Sequence, residues 1–453
     1  MSGIVGIAQP GKREIVSGML DKINYRGKAG CEIVEHNIAT FGLVWTVPQS
    51  DSIHRLKKEK TVEDEAQSGH FAGASIKDKE LILIRDELGV APLYYGFSEE
   101  EILCFSSEAK ALLGLCSDIE EIPPGTKYKG NRKGRIQTKT YFKLKKQASV
   151  DDPPEVIAKK LKEKLRSSVM KRIAMGGKVG SWLSGGLDSS AMAALARPYT
   201  KKLHTFAAGL SGAPDLDHAR EVADFIKSEH HEVIVKFEDL LTALPDVIYH
   251  LESFDALLVR SSITNYLVAK RASEYVDAVF SGEGGDELFA GYEYLKSIES
   301  EMLDEELIDI TDRLHNTALQ RVDRSASAHG TVAHVGFLDP DVVDYALRIP
   351  AKYKLRESVE KWILRRAVDG LLPERVLRRK KSKFWEGAGI MELLSDYADK
   401  NISESDFAKE RILPNGWIIN TKEELMYYRI FKDHFGELDD LAWMGRTKGA
   451  PRK

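Results

Sequence analysis

Apolar and polar positions along the chain fall into two regimes. Up to about residue 145 the apolar runs are short and partly alternating: Ile4 to Ile7, Thr40 to Trp45, Leu81 to Ile84 and Ile102 to Phe105. Turn formers such as Gly89, Pro92, Gly96 and Pro123-Pro124-Gly125 separate them, which predicts a β-rich unit. The polar stretch Lys145 to Pro154, ending in Asp-Asp-Pro-Pro, reads as a linker. Val156, Leu161, Leu165 and Val169 then recur at near-helical spacing and predict a long amphipathic helix.

Beyond that helix, strand-like and helix-like runs alternate. Val179 to Leu183, His204 to Gly209, Glu232 to Val235 and Ala278 to Ser281 predict four strands, with helices such as His218 to Ser228 and Asp239 to His250 between them. A βαβ order implies a mostly parallel sheet that binds ligands at the carboxyl ends of its strands. After about residue 295 the pattern is nearly all helical. The expected fold class is α/β, preceded by a β-rich unit.

Composition narrows the function classes. At 453 residues the chain is too long for one core and predicts two or three domains. A net charge of −4 gives no electrostatic case for nucleic acid as a partner. No apolar stretch approaches the roughly 20 residues that cross a bilayer. Met1 to Gly6 has no basic segment followed by a long apolar one, so a cytoplasmic protein is expected. Three widely spaced cysteines, Cys31, Cys104 and Cys116, with no CxxC, argue against a disulfide framework and a zinc site. The basic end, Arg446 to Lys453, reads as a solvated tail.

The first chemical motif is Ser184-Gly185-Gly186-Leu187-Asp188-Ser189-Ser190, between a strand and a helix start. Glycines let the backbone turn sharply and approach an anion, while serine hydroxyls and successive N–H groups bind it. Asp188 repels phosphate, so its natural task is to hold Mg²⁺, which bridges carboxylate and phosphate oxygens. No Gly-Lys-Ser/Thr follows the glycines, so this is not a Walker A loop. It resembles the pyrophosphate loop, SGGxDS, of ATP pyrophosphatases. A second glycine-rich loop, Ser281-Gly282-Glu283-Gly284-Gly285-Asp286-Glu287, follows the fourth predicted strand and adds carboxylates beside the first.

With Ser281 to Tyr292, Tyr249 to Asp255, Gly336-Phe337-Leu338-Asp339, Glu360-Lys361-Trp362 and Arg379 to Phe384, these motifs resemble the synthetase domain of class B asparagine synthetases. Arg85 to Tyr95 and Ser106 to Ala111 are similar to the back half of that family's N-terminal glutaminase domain. The resemblance implies two domains, 1–145 of glutaminase type with the Ntn α+β fold and 155–453 of ATP-pyrophosphatase type with a helical C-terminal part. It implies that ATP adenylates the side-chain carboxylate of aspartate, releasing pyrophosphate, and that ammonia then displaces AMP.

Carried over residue by residue, the resemblance places pyrophosphate and metal at Ser184, Gly185, Gly186, Asp188, Ser189 and Ser190. It places adenosine at the backbone of Leu183 and Ala208, nucleotide and acyl-adenylate at Ser281 and Gly282, and a second Mg²⁺ ligand at Asp286. Glu283 would take the proton from the attacking nitrogen, and Lys361 would stabilise the departing pyrophosphate.

The chain departs from the family pattern at its start. Ser2 stands where the glutaminase has its nucleophilic cysteine, and Lys28-Ala29 replaces Pro-Asp after Arg26-Gly27. The front domain is therefore expected to be degenerate, leaving free ammonia as the nitrogen source. A separate ammonia-supplying partner and a homodimer both remain open. In the synthetase part, Val332 and His334 replace a family Glu and Arg. Two alternatives to asparagine synthesis stay open: a β-lactam synthetase-like ligase acting on another carboxylate, and a non-catalytic nucleotide-binding relative.

Overall fold

The computed structural model describes residues 3–46, 69–77, 79–130, 136–379 and 392–447. Ser2, the segment 380–391 with the end of the Arg379 to Phe384 motif, and residues 448–453 lie outside them.

Among the described residues the N-terminal part builds ten strands, β1 (Gly3–Ile7), β2 (Gly30–Glu35), β3 (Thr40–Trp45), β4 (Ala72–Lys77), β5 (Glu80–Arg85), β6 (Tyr94–Ser98), β7 (Leu103–Ser106), β8 (Cys116–Glu121), β9 (Thr126–Gly130) and β10 (Ile136–Thr140). They form two antiparallel sheets, β2-β3-β1-β7-β6-β8 and β10-β9-β5-β4. Residues 141–153 carry no regular structure, as the polar stretch predicts, and lead into helix α2 (Pro154–Ile173), α1 being Arg13–Asp21. Pro154 opens α2 at the position where its missing N–H is not needed. The buried stripe of α2 is Ile157, Leu161, Leu165 and Val169. Val156 is 38% exposed, so the expected stripe is shifted by one residue at its start.

The C-terminal part is organised around a five-stranded parallel sheet, β11 (Val179–Trp182), β12 (His204–Leu210), β13 (Glu229–Val235), β14 (Ala278–Ser281) and β15 (Val332–Val335), in the order β13-β12-β11-β14-β15. Helices α3 (Leu187–Ala196), α4 (Pro214–Ile226), α5 (Phe237–Leu251) and α6 (Ala256–Ala272) make the crossovers. The chain starts in the middle at β11, builds outward through β12 to β13, then returns to the other side at β14. Strand order therefore reverses between β11 and β14, and a crevice opens at their carboxyl ends. Both glycine-rich loops leave the sheet there.

Two expectations need correction. The region after residue 295 is not all helical, because β15 completes the sheet. Its four residues are fully buried and carry no alternation, so period alone does not separate them from a helical turn. β13 begins at Glu229 rather than Glu232, since its first residues are polar and lie on the sheet's edge.

One apolar cluster runs from Val5 in β1 to Met444, through both parts of the chain. A buried ionic seam crosses it. The Arg26 guanidinium lies 2.5 Å from Glu108 and 2.8 Å from Asp323. Arg324 pairs with Glu252 at 2.8 Å, and Lys110 reaches Glu108 at 2.6 Å. Three cations thus face three carboxylates, each 5% exposed or less. Arg85 adds a pair to Glu121 at 2.6 Å, and His315 approaches the same carboxylate at 2.9 Å.

This seam carries a stability prediction. Arg26→Met leaves Glu108 and Asp323 short of a cation and should cost about 3–5 kcal/mol in denaturant unfolding. Burial opposes the charge on Glu108, yet Lys110, Arg324 and Arg26 hold its carboxyl well below the usual range. Burial likewise opposes ionised Glu121, but His315 and Arg85 pull it down to about 2. A carboxyl lowered on folding stabilises above its unfolded value, near 4.3, and loses that contribution as pH falls toward the folded value. The unfolding midpoint should therefore drop steadily below about pH 4.5; a flat midpoint there would count against the pairing.

Candidate active site

The first loop is shaped by what its glycines permit. Gly185 has φ +72, and a Cβ there would come within 2.5 Å of His218 Cβ on α4. The loop closes on itself through serine hydroxyls: the Ser184 amide donates to Ser189 Oγ at 3.2 Å, and Ser189 Oγ donates to the Gly186 carbonyl at 3.2 Å. Helix α3 starts at once, its N-terminus presenting N–H groups to the crevice.

The second loop nests against the first because it is bare of side chains. A Cβ on Gly282 would lie 2.7 Å from the Ser189 amide, and one on Gly285 would lie 2.6 Å from Asp188 Oδ1. Gly285 opens the short helix α7 (Gly285–Phe289), which carries Asp286 and Glu287. A Cβ on Gly291 would collide with Asp286 and with Lys361 Cε. Packing this close is what brings the carboxylates of the two loops together.

Lys361 arrives from a third segment. Its backbone is left-handed, φ +56, a conformation a lysine pays about 1–3 kcal/mol to hold. Its amide donates to the Phe289 carbonyl at 3.1 Å, and its side chain is buried. The ammonium makes an ion pair with Asp188 and lies 2.6 Å from Asp286 Oδ1. One cation thus joins a carboxylate from each loop.

A cavity of about 620 Å³ opens on this centre. Leu183, Ser184, Gly186, Asp188, Ser189, Ala208, Ser281, Gly282, Glu283, Asp286 and Lys361 line it; Gly185 and Ser190 do not. Ser190 is fully buried and its amide donates to the Gly186 carbonyl, so it serves the turn. Val332 and His334 lie within β15 and are also off the wall.

Several wall residues were not foreseen. Arg321, on the helix Ala318–Ser327, makes an ion pair with Glu283. Arg379 donates to the Gly185 carbonyl at 3.2 Å and pairs with Asp215, so it holds the outside of the first loop. Arg446 is not solvated: it pairs with Glu424 at 2.7 Å, and the next amide, Thr447, donates to Asp255 at 3.0 Å. The Arg-Val-Asp-Arg run and the glycine-tyrosine pair after the second loop were the available signals for Arg321 and Tyr292. Nothing local marked Arg446.

Glu287 is the third acid of the second loop. It is buried and accepts a hydrogen bond from the Tyr292 hydroxyl. Burial, then the nearby charges of Asp286 and Glu283, push its carboxyl up to about 7.

A model of the "Asparagine synthase" family matches residues 160–313 and 297–448, and a "Glutamine amidotransferase domain" model matches 49–114. The chain belongs to the asparagine synthetase family. A protein of Schizosaccharomyces pombe, named a probable glutamine-hydrolysing asparagine synthetase, is 37% identical over 79% of this chain and 70% of its own length. Glutamine-hydrolysing asparagine synthetase B of Escherichia coli is 34% identical over 81% of this chain and 70% of its own. Asparagine synthetase 2 of Arabidopsis thaliana is 34% identical over 81% of this chain and 66% of its own. The chain thus spans about two thirds of the length of such family members. NMN synthetase of Francisella tularensis, a solved structure, overlaps at TM-score 0.29 and 14% identity over 64% of this chain and 99% of that one, too slight a likeness to bear weight.

The raised Glu287 carboxyl has a measurable sign. The folded form keeps a proton that the unfolded chain releases near pH 4.3, so Glu287 costs stability as pH rises from there to about 7. Glu287→Gln should therefore be the more stable protein at pH 8, with the gap closing by about pH 5 in thermal unfolding. A gap that is constant across this range would remove Glu287 from the titrating set.

Proposed function

We propose that this chain is an asparagine synthetase that adenylates aspartate with ATP and takes its nitrogen from free ammonia. As a member of its family it is an ATP-dependent, amide-forming ligase. The observation that carries the reading is the Lys361 ammonium between Asp188 and Asp286, at the floor of a cavity large enough for a nucleotide and a small acid.

The nucleotide lies across the crevice, its adenosine against the backbone of Leu183 and Ala208. Its phosphates meet the hydroxyls of Ser184 and Ser189 and the N–H groups of α3. Mg²⁺ suits the donor set: Asp188, Asp286 and the two serines offer only oxygen, and Gly285 and Gly291 let the two carboxylates come together. Mg²⁺ held by Asp188 and Asp286 would supply positive charge beside the phosphates.

The aspartate side-chain carboxylate attacks the α-phosphate, and the pyrophosphate leaves with its negative charge facing Lys361. Adenylation turns a carboxylate oxygen, a poor leaving group, into AMP, a good one. Ammonia then attacks the acyl carbon. Glu283, held in place by Arg321, receives the proton the nitrogen sheds. Ser2 lacks the thiol of the family's glutaminase, and Lys28-Ala29 stands in place of the family's Pro-Asp after Arg26-Gly27. These two features favour ammonia over glutamine as donor.

Pyrophosphate release from ATP, Mg²⁺ and aspartate is the decisive assay, run with ammonia, with glutamine and with neither. Ammonia should support asparagine formation and glutamine should not. Absence of aspartate-dependent pyrophosphate in all three arms would sink asparagine synthesis; turnover on glutamine without ammonia would sink the donor assignment. Asp286→Asn should lower adenylation by at least about 100-fold with an unchanged circular dichroism spectrum, on the scale of losing one charge-stabilising group. Near-normal turnover would remove Asp286 from the centre.

A further inference from the structure

The other end of the parallel sheet carries a second group of ligating side chains. His204 opens β12, and Glu229 opens the edge strand β13. The parallel register pairs His204 with Glu229 and Phe206 with His231. Alternation along each strand puts all four on one face. His204 Nδ1 and His231 Nε2 lie 2.9 Å apart, and His204 Nδ1 lies 3.9 Å from Glu229 Oε2. One ligand atom from each of the three residues falls within 4.8 Å of the others.

We propose that His204, Glu229 and His231 bind a divalent transition metal of the zinc class, which clips the edge strand β13 to β12. Two imidazoles and a carboxylate suit zinc and cobalt better than magnesium, which prefers all-oxygen sites. In a tetrahedral site with bonds of about 2.0–2.1 Å, ligand atoms stand about 3.4 Å apart. Two of the three separations, 2.9 and 3.9 Å, lie on either side of that value, and all three atoms lie within 4.8 Å of one another. The two ring nitrogens now share a single hydrogen, and a metal ion accepts both lone pairs instead. Cysteine count gave no zinc site; this set uses none.

The surroundings support a fixed geometry. The Tyr275 ring lies 4.2 Å from His231 and 5.3 Å from His204, and Phe206 stacks on His231 at 5.0 Å. Phe206 also lines the nucleotide cavity, so the clip sits against the back of that wall. The competing cation is Lys202, whose ammonium lies 2.5 Å from Glu229 Oε1. Arg271, stacked over Tyr275, and Lys178, whose charge acts on His204, are further positive groups on this side.

The test uses untagged full-length protein, stripped with chelator and kept in excess Mg²⁺ so that the oxygen ligands at the nucleotide end are occupied. Co²⁺ is titrated and followed by its visible absorption, then displaced with Zn²⁺. One Co²⁺ per chain is expected, with the bands of a four-coordinate nitrogen–oxygen site and a raised thermal midpoint. His231→Ala and Glu229→Gln should each weaken binding by at least about tenfold, as loss of a ligand does no less than loss of a supporting partner. Lys202→Ala should tighten it by removing the competitor; Glu229 and Lys202 are exposed enough for those variants to fold. Asp188→Asn should leave Co²⁺ binding unchanged. Substoichiometric binding, binding that survives both His231→Ala and Glu229→Gln, or binding lost with Asp188→Asn would each overturn the proposal.

Discussion

Lys361 is the charge on which the catalytic end of this molecule depends. It is 173 residues from Asp188 in sequence and reaches it only because β11, β14 and the segment after β15 converge on one crevice. Without a cation between them, two buried carboxylates would repel, and the tight nesting of the glycine loops would bring together like charges. The lysine thus offsets the electrostatic cost of the very packing that the glycines allow. Its left-handed backbone, tied to the Phe289 carbonyl, fixes where the ammonium stands.

Charge balance follows the same logic across the cavity. Carboxylates and cations alternate on its walls, with Arg321 against Glu283 and Arg379 against Asp215. Such a surface holds an anion and a cation together better than either alone, which is what a nucleotide with its metal requires. Glu287 is the exception, since burial and the nearby charges of Asp286 and Glu283 push its carboxyl up to about 7.

Much of this was legible in the chain because it is local. A strand, a glycine loop and a helix start are adjacent in sequence, so Ser184 to Ser190 and Ser281 to Asp286 could be read without knowing the fold. What local pattern does not encode is which distant side chain answers them. Arg321 and Arg446 become wall residues through tertiary packing, and a lone arginine on a helix or near a terminus looks the same whether solvated or buried. β15 was hidden for another reason: a short strand covered on both faces has no polar side to mark its period. The buried stripe of α2 starts at Ile157, four residues before Leu161, and not at Val156, which is five before it and faces outward.

The buried seam has a consequence in time as well as space. Arg26 and Asp323 are 297 residues apart, so the N-terminal sheets leave the ribosome long before their counter-charges exist. At about 5–20 residues per second, on the order of ten to forty seconds separate the synthesis of Glu108 from that of Arg324. During that interval Arg26, Glu108 and Lys110 form a half-built ionic surface that must stay hydrated. The front half of this protein is thus made with its ionic face open, and only the back half can close it.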